Sequence, residues 1–202
     1  MKYCFIIAQN KVFSNSKKIF DKNIPKWDTC QQRKIIKKLL YMGANNLCNQ
    51  VRLVTDATKR EFGHYVETYT LKSSAIMKLF KPRIFQGREK FELYIKLHGQ
   101  LKLEDERKLL ETRRRDLQEI YFRYCPCHDA NECLVVKNPE IAALYYKEHC
   151  PCALAQKELL QAKPKSIYLF IKEYPFCAKV KKMFMAVADK RLKNYYLLRH
   201  PA

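Results

Sequence analysis

Apolar residues recur at intervals of three and four along most of the chain, which is the pattern of amphipathic helices. Capping residues and helix breakers divide the N-terminal half into four segments. The predicted helices run from Asp28 or Thr29 to Gly43, from Ala44 to about Val54, from Asp56 or Thr58 toward Tyr69, and over 71–80 before Pro82. This half is therefore predicted to be mainly helical.

Three regions depart from the helical pattern and predict a minor β component. Residues 2–8 and 11–13 are short and rich in β-branched and aromatic side chains, which favours a small strand or hairpin. Residues 84–99 contain alternating apolar positions, and residues 166–171 form a short apolar run typical of a buried strand. The alternating positions are Phe91, Leu93, Ile95 and Leu97.

The C-terminal half is again predicted to be helical. A long amphipathic helix is expected over 101–124, a second begins at Asn138-Pro139-Glu140, a third covers 153–163, and a final helix covers 179–198. The predicted fold class is thus mainly α with a minor β component (α+β), with regions 1–100 and 101–202 joined in one compact unit. No repeat of 20–50 residues is evident in the sequence.

The charge balance indicates a polyanionic partner. The 202 residues hold 40 Lys and Arg against 20 Asp and Glu, a formal net charge of +20. RNA or DNA is the first candidate for such a surface, and an anionic membrane surface is the second. The first 20 residues fit neither a secretory signal nor a transmembrane span, so we expect a cytoplasmic or nuclear protein with reduced thiols.

Four clusters of basic residues are candidate phosphate contacts. The residues predicted to bind nucleic acid are Arg33, Lys34, Lys37, Lys38, Lys81, Arg83, Arg113, Arg114, Arg115, Lys181, Lys182 and Arg191. No helix-turn-helix or zinc-finger spacing occurs, and the charge is spread along the chain. Binding of RNA by its backbone and shape is therefore favoured over sequence-specific binding of DNA.

Cysteine and histidine concentrate between Tyr124 and Cys152 in two Cys-Pro-Cys turns, which are the only self-similar segments that the sequence shows. Four thiols in two close pairs match the ligand set of a structural zinc site. The predicted ligands are Cys125, Cys127, Cys150 and Cys152, with Cys133, His128 and His149 as alternates. With Cys177 there are enough ligands for two ions, although one zinc is favoured. The other interpretations are buried apolar cysteines and a redox pair.

These features predict a zinc-stabilised, basic, RNA-binding regulatory protein. The profile resembles that of small, basic, cysteine-rich regulatory proteins of viruses, some of which suppress host RNA-based defence. The alternative is a non-catalytic protein-interaction or assembly subunit, with a protein partner or a second copy of the chain. No catalytic motif occurs, so an enzyme is not expected; a zinc- or cysteine-dependent enzyme would require an open coordination position.

Overall fold

The structure is a computed structural model that describes residues 46–201, and Asn45–Ala202 form one compact unit. The elements predicted before residue 44 and the basic residues Arg33, Lys34, Lys37 and Lys38 lie outside the described residues. The helices are α1 (Leu47–Asp56), α2 (Lys59–Val66), α3 (Ser73–Leu79), α4 (Gly87–His98), α5 (Leu103–Glu111), α6 (Arg115–Tyr124), α7 (Asp129–Val135), α8 (Pro139–Tyr145), α9 (Ala153–Leu159), α10 (Pro164–Glu173), α11 (Ala178–Val187) and α12 (Lys190–Arg199).

Several helix starts follow directly from the sequence. Thr58 and Glu61 form a capping box at α2, in which the Thr58 side chain accepts from the Glu61 N–H. Asn138 caps α8 by accepting from the Glu140 N–H, and Pro139 occupies the first turn, where no backbone donor is needed. The predicted helix beginning at Asn138-Pro139-Glu140 is therefore confirmed.

The twelve helices form six consecutive pairs that stack as an α-solenoid. We call the first helix of each pair the A helix and the second the B helix. Each A helix packs against the next A helix, and each B helix packs against the next B helix, from α1 through α12. The A helices begin at Leu47, Ser73, Leu103, Asp129, Ala153 and Ala178, 24 to 30 residues apart. This repeat is a structural one, since the sequence shows no repeat of 20–50 residues.

The core is continuous from one repeat to the next. Every B helix buries a large side chain at the residue whose carbonyl accepts the last backbone hydrogen bond of the helix. These residues are Tyr65, Ile95, Tyr121, Tyr145, Phe170 and Tyr196. Rings also meet within and across pairs, as where Phe122 packs edge-on against Tyr145 with centroids 5.1 Å apart. Each repeat thus depends on its neighbours for burial of its apolar face.

The minor β component is not found in the described residues, where the two predicted strands are helices. In α4 the buried residues include Phe91, Tyr94 and Ile95, which share one helical face, whereas Leu97 is 46 % exposed. In α10 the buried residues Ile167, Phe170 and Ile171 likewise follow helical spacing. The alternation of apolar residues does not reflect a strand. A helix that packs against its neighbours through one face buries residues three and four positions apart.

Two predicted long helices are each an A helix followed by a B helix. The predicted helix over 101–124 is interrupted at Thr112, whose hydroxyl donates to Leu109 O at 2.7 Å and ends α5. The predicted helix over 179–198 is interrupted at Asp189, whose carboxylate accepts from the Leu192 N–H at 2.8 Å and caps α12. Local side-chain capping therefore creates the turns that the apolar pattern alone did not reveal.

Candidate functional site

The loops that lead from a B helix to the next A helix (the B–A loops) share one hydrogen bond. In four A helices (α1, α5, α7 and α9) the fourth residue is a buried Gln or Glu, and its side chain accepts the backbone N–H of the residue that caps the next A helix. The bonds are Lys72 N to Gln50 Oε1 (2.8 Å), His128 N to Glu106 Oε1 (3.0 Å), Cys152 N to Glu132 Oε2 (2.7 Å) and Cys177 N to Gln156 Oε1 (2.9 Å). In α3 this position is Ile76, so the bond is missing at the following loop.

The first Cys-Pro-Cys turn is organised by Glu106, whose side chain is fully buried. Besides the His128 N–H, this carboxylate accepts from Tyr121 Oη at 2.6 Å and from Asn131 Nδ2 at 2.7 Å, and it lies 2.9 Å from His128 Nδ1. Four contacts from three chain segments satisfy a charge that would otherwise be costly to bury. Glu106 therefore joins α5 to α6, to the turn and to α7.

The second Cys-Pro-Cys turn is organised in the same way by Glu132 of α7. Its carboxylate accepts from the Cys152 N–H and from the Tyr145 hydroxyl, and the Tyr145 oxygen in turn accepts from the Cys127 N–H at 3.4 Å. One connected set of hydrogen bonds thus reaches from the first turn to the second. The two turns belong to successive junctions of the solenoid rather than to one knot.

Cys127 occupies an apolar position that recurs in the repeats. The residue before each A-helix cap is buried at five junctions: Leu71, Leu101, Cys127, Pro151 and Phe176. Cysteine behaves as a small apolar side chain in such positions. Its burial, and the nearby carboxylates of Glu106 and Glu132, raise the pKa of the Cys127 thiol well above its usual range.

His149 also has a role that recurs in the repeats. Its Nε2 atom bonds the carbonyl of Phe122 in the preceding B helix, as His200 Nε2 bonds Ile171 O (2.7 Å) and His98 Nε2 bonds Val66 O (2.7 Å). Each of these histidines links the end of one B helix to the last turn of the one before it. The Nε2 atom of His149 is therefore engaged in a structural hydrogen bond with Phe122 O.

The structure does not bring the four predicted zinc-binding thiols together. Within residues 46–201, the one group of three or more close metal-ligating side chains is Asp129, Glu132 and Cys152, whose ligand atoms all lie within 4.8 Å of one another. Cys125 is buried at the end of α6, Cys150 is exposed and contacts Gln156, and Cys133 is half-buried. Zinc requires thiolates about 2.3 Å from the metal. This arrangement of the four cysteines therefore does not fit a tetrahedral zinc ion.

The thiols near the junctions also favour the protonated form. Burial, with a smaller contribution from Glu132, raises the pKa of Cys152 to about 11, while the N-terminal N–H groups of α9 oppose the shift. Burial, followed by the charge of Glu106, raises the pKa of Cys125. Neither thiol has the depressed pKa of a reactive cysteine, which disfavours the redox interpretation.

The basic residues concentrate on the loops within the pairs, from an A helix to its B helix (the A–B loops). Each A helix begins at a B–A loop and ends at an A–B loop, so the two kinds of loop lie at opposite ends of the A helices. The A–B loops of the described residues hold Lys81, Arg83, Arg113, Arg114, Lys137 and Lys163 against one acid, Asp189. The B–A loops hold Lys72, Lys102 and Lys147 against Glu67 and Glu148.

The first residues of the B helices in the first, second, fifth and sixth repeats extend this basic surface, whereas the first turns of α2, α4, α6 and α8 also carry the acids Glu61, Glu89, Asp116 and Glu140. We call this surface the A–B edge. Its exposed members beyond the loops are Lys59, Arg60, Arg88, Lys165, Lys190 and Arg191. Sequence reasoning found part of this edge but overlooked Lys59, Arg60 and Lys163, because without the repeat nothing places them beside the others.

The remaining residues predicted to contact nucleic acid differ in whether their charge is already engaged by another side chain. Arg114 forms a two-bond ion pair with Asp116 (2.6 and 2.8 Å), and Arg115 pairs with Glu140. Lys181 and Lys182 lie in the first half of α11, away from the A–B edge, and Lys181 packs over the Tyr196 ring at 5.7 Å. Arg113, Lys81 and Arg83 are exposed, and no ion pair engages them in the described part of the chain.

No protein-family model, curated protein or solved structure matches this chain. None of the helices between residues 46 and 201 is both long and apolar enough to cross a membrane.

Proposed function

We propose that the protein is a non-catalytic scaffold that binds RNA along the A–B edge. The observation that carries the proposal is that the A–B loops of the second to fifth repeats, at one end of the A helices, hold basic residues and no acid. Neighbouring packed helices lie about 8–10 Å apart, so the basic loops form a row that an extended polyanion follows from repeat to repeat. Binding through phosphate contacts of this kind depends on charge and shape more than on base sequence.

A salt series on paired variants tests this proposal. The first variant replaces Lys81, Arg83, Arg113 and Lys163 by Gln, and the control replaces the exposed B–A lysines Lys72, Lys102 and Lys147 by Gln. We expect the first variant to bind a labelled single-stranded RNA more weakly and with a smaller salt dependence, by about 0.7 in log–log slope for each phosphate that is no longer neutralised. Absence of binding by the wild type at low salt would refute RNA binding, and equal weakening in both variants would refute the A–B edge.

Zinc coordination by Cys125, Cys127, Cys150 and Cys152 stays a prediction that requires the two turns to move toward each other. What supports it is the density of thiols in the sequence. Native mass spectrometry before and after chelation decides the question. A bound zinc whose removal unfolds the protein would support it, and a folded, metal-free protein would support the junction arrangement described above.

The second candidate function is a protein-interaction subunit, and the repeat architecture itself favours it. α-Solenoids bury a continuous core and leave long surfaces on which partners bind. The expected regulatory role against RNA-based defence is compatible with either function. A pull-down with nuclease-treated and untreated samples separates a directly bound protein from one that is held through RNA.

A further inference from the structure

A groove of about 400 Å³ opens on the A–B edge between the third and fourth repeats. Its floor is aliphatic, with Leu110 and Ile141 almost fully buried and Leu134 at 42 % exposure. Its charged lining residues are Arg107, Arg113, Arg115 and one acid, Glu111. An apolar floor beside a few charged groups is the usual composition of a specific binding site.

Leu134 departs from the pattern of the repeat. It is the sixth residue of its A helix, and four of the other five A helices carry a charged residue at that position: Arg52, Lys78, Lys108 and Glu158. Leu134 lines the groove together with the buried Leu110 and Ile141, so it extends their apolar surface to the outside, where a partner can cover it.

The charges of the groove favour an acidic ligand. The guanidinium of Arg107 lies 3.5 Å from Glu111 in a loose ion pair, and Arg115 is paired with Glu140. Arg113 is exposed, and within residues 46–201 no carboxylate forms an ion pair with it. An arginine with a free planar fork binds a carboxylate through two parallel hydrogen bonds.

The lining of the groove distinguishes a peptide from RNA. Phosphate contacts along the A–B edge need no aromatic side chain, but a site for an unstacked base usually has one, and none of the residues lining this groove is aromatic. Aliphatic side chains instead suit the Leu, Ile or Val of a peptide. We propose that the groove binds an acidic peptide segment of a protein partner, with one aliphatic side chain on Leu134 and a carboxylate on Arg113.

Fluorescence anisotropy with the full chain tests this inference. The probe is a short labelled peptide of Asp and Glu around one Leu, and the control peptide carries Ser in place of that Leu. We expect the Leu134→Gln and Arg113→Gln variants each to weaken binding of the probe roughly tenfold. The matched control is Leu154→Gln, because Leu154 is 54 % exposed on α9 and does not line the groove.

Three results would overturn the inference. The probe and the Ser peptide binding equally well would exclude the apolar contact, and unchanged binding by Leu134→Gln would exclude the groove. Weaker RNA binding by Leu134→Gln, without any binding of the peptide, would assign the groove to RNA. None of these results depends on whether the rest of the A–B edge binds RNA, so the two proposals fail separately.

Discussion

The carboxylate of Glu132 accepts the backbone N–H of Cys152 at 2.7 Å, across the junction between the fourth and fifth repeats. Gln156 makes the same bond to Cys177 one repeat later, at 2.9 Å. The position therefore requires an acceptor, and either a carboxylate or a carboxamide supplies it. The Cys-Pro-Cys turns are two of the loops that this bond fixes.

Replacing Glu132 by Ala should destabilise the protein strongly, because it leaves the Cys152 N–H and the Tyr145 hydroxyl without their acceptor. Each buried group left without a partner costs roughly 1–3 kcal/mol. Glu132→Gln should be destabilised less than Glu132→Ala, because its one amide oxygen can still accept the Cys152 N–H, as Gln156 accepts the Cys177 N–H, although it no longer accepts from the Tyr145 hydroxyl. Urea denaturation measures both changes, with Glu119→Ala as a control on the exposed surface of α6. Equal destabilisation by Ala and Gln would contradict a role as acceptor.

Cys127→Val should cost about 1–3 kcal/mol and leave the protein folded, because Cys127 occupies a buried apolar position and Val keeps it apolar while adding one methyl group. Cys127→Asp should unfold the protein, since it adds a buried charge next to Glu106 and Glu132. Circular dichroism during thermal unfolding measures both. Loss of a bound metal together with the fold in the Val variant would instead identify Cys127 as a ligand.

Removing the imidazole of His149 should weaken the link between the third and fourth repeats. His149→Ala deletes the hydrogen bond to Phe122 O and the ring contact with Tyr145, and we expect a destabilisation of about 1–3 kcal/mol. His64→Ala is the matched control, because His64 is exposed and lies 3.6 Å from Glu67 in a loose contact. Similar unfolding midpoints for the two variants would contradict the linking role.

Stability should decrease at alkaline pH. The pKa of Cys152 is raised from 9.0 to about 11 in the folded protein. The native state therefore holds this proton more tightly than the unfolded state, and the associated stability is complete below pH 9 and is lost as the pH rises through 11. Cys152→Ser should reduce the slope of the urea midpoint over this range. The buried tyrosines are the same in the wild type and the variant, so a difference in slope between them reports on the Cys152 thiol. An unchanged slope would show that this thiol does not contribute to the pH dependence of stability.

The helices were partly predictable from the sequence, and their arrangement was not. The apolar pattern predicts strands in the segments of α4 and α10, and it does not predict the breaks before α6 and α12. Caps such as Thr58 and Asn138 act within one turn, so their signal survives in the sequence. The repeat is defined by a few positions that hold chemically different residues, as where Ile76 replaces the Gln or Glu of other repeats. Such positions are equivalent in the structure but hold different residue types, so the repeat cannot be recognised as a period in the sequence.

The cysteine-rich stretch shows the same limit. Five thiols and two histidines between residues 124 and 152 match the composition of a zinc site. The structure assigns Cys127 to a buried apolar position and His149 to a link between B helices, and both assignments depend on comparison with the other repeats. The acceptors Glu106 and Glu132 were missed, because nothing in the sequence distinguishes a buried glutamate from a solvated one.

Residue-resolved amide hydrogen exchange tests the central claim, that buried Gln and Glu side chains fix the B–A loops of a repeat. The amides of Lys72, His128, Cys152 and Cys177 each donate to such a side chain. Lys102 caps α5 after the repeat that has Ile76, and its amide has no such acceptor among the described residues. We predict slow exchange at the four amides and fast exchange at Lys102. Exchange at His128 and Cys152 as fast as at Lys102 would contradict the account.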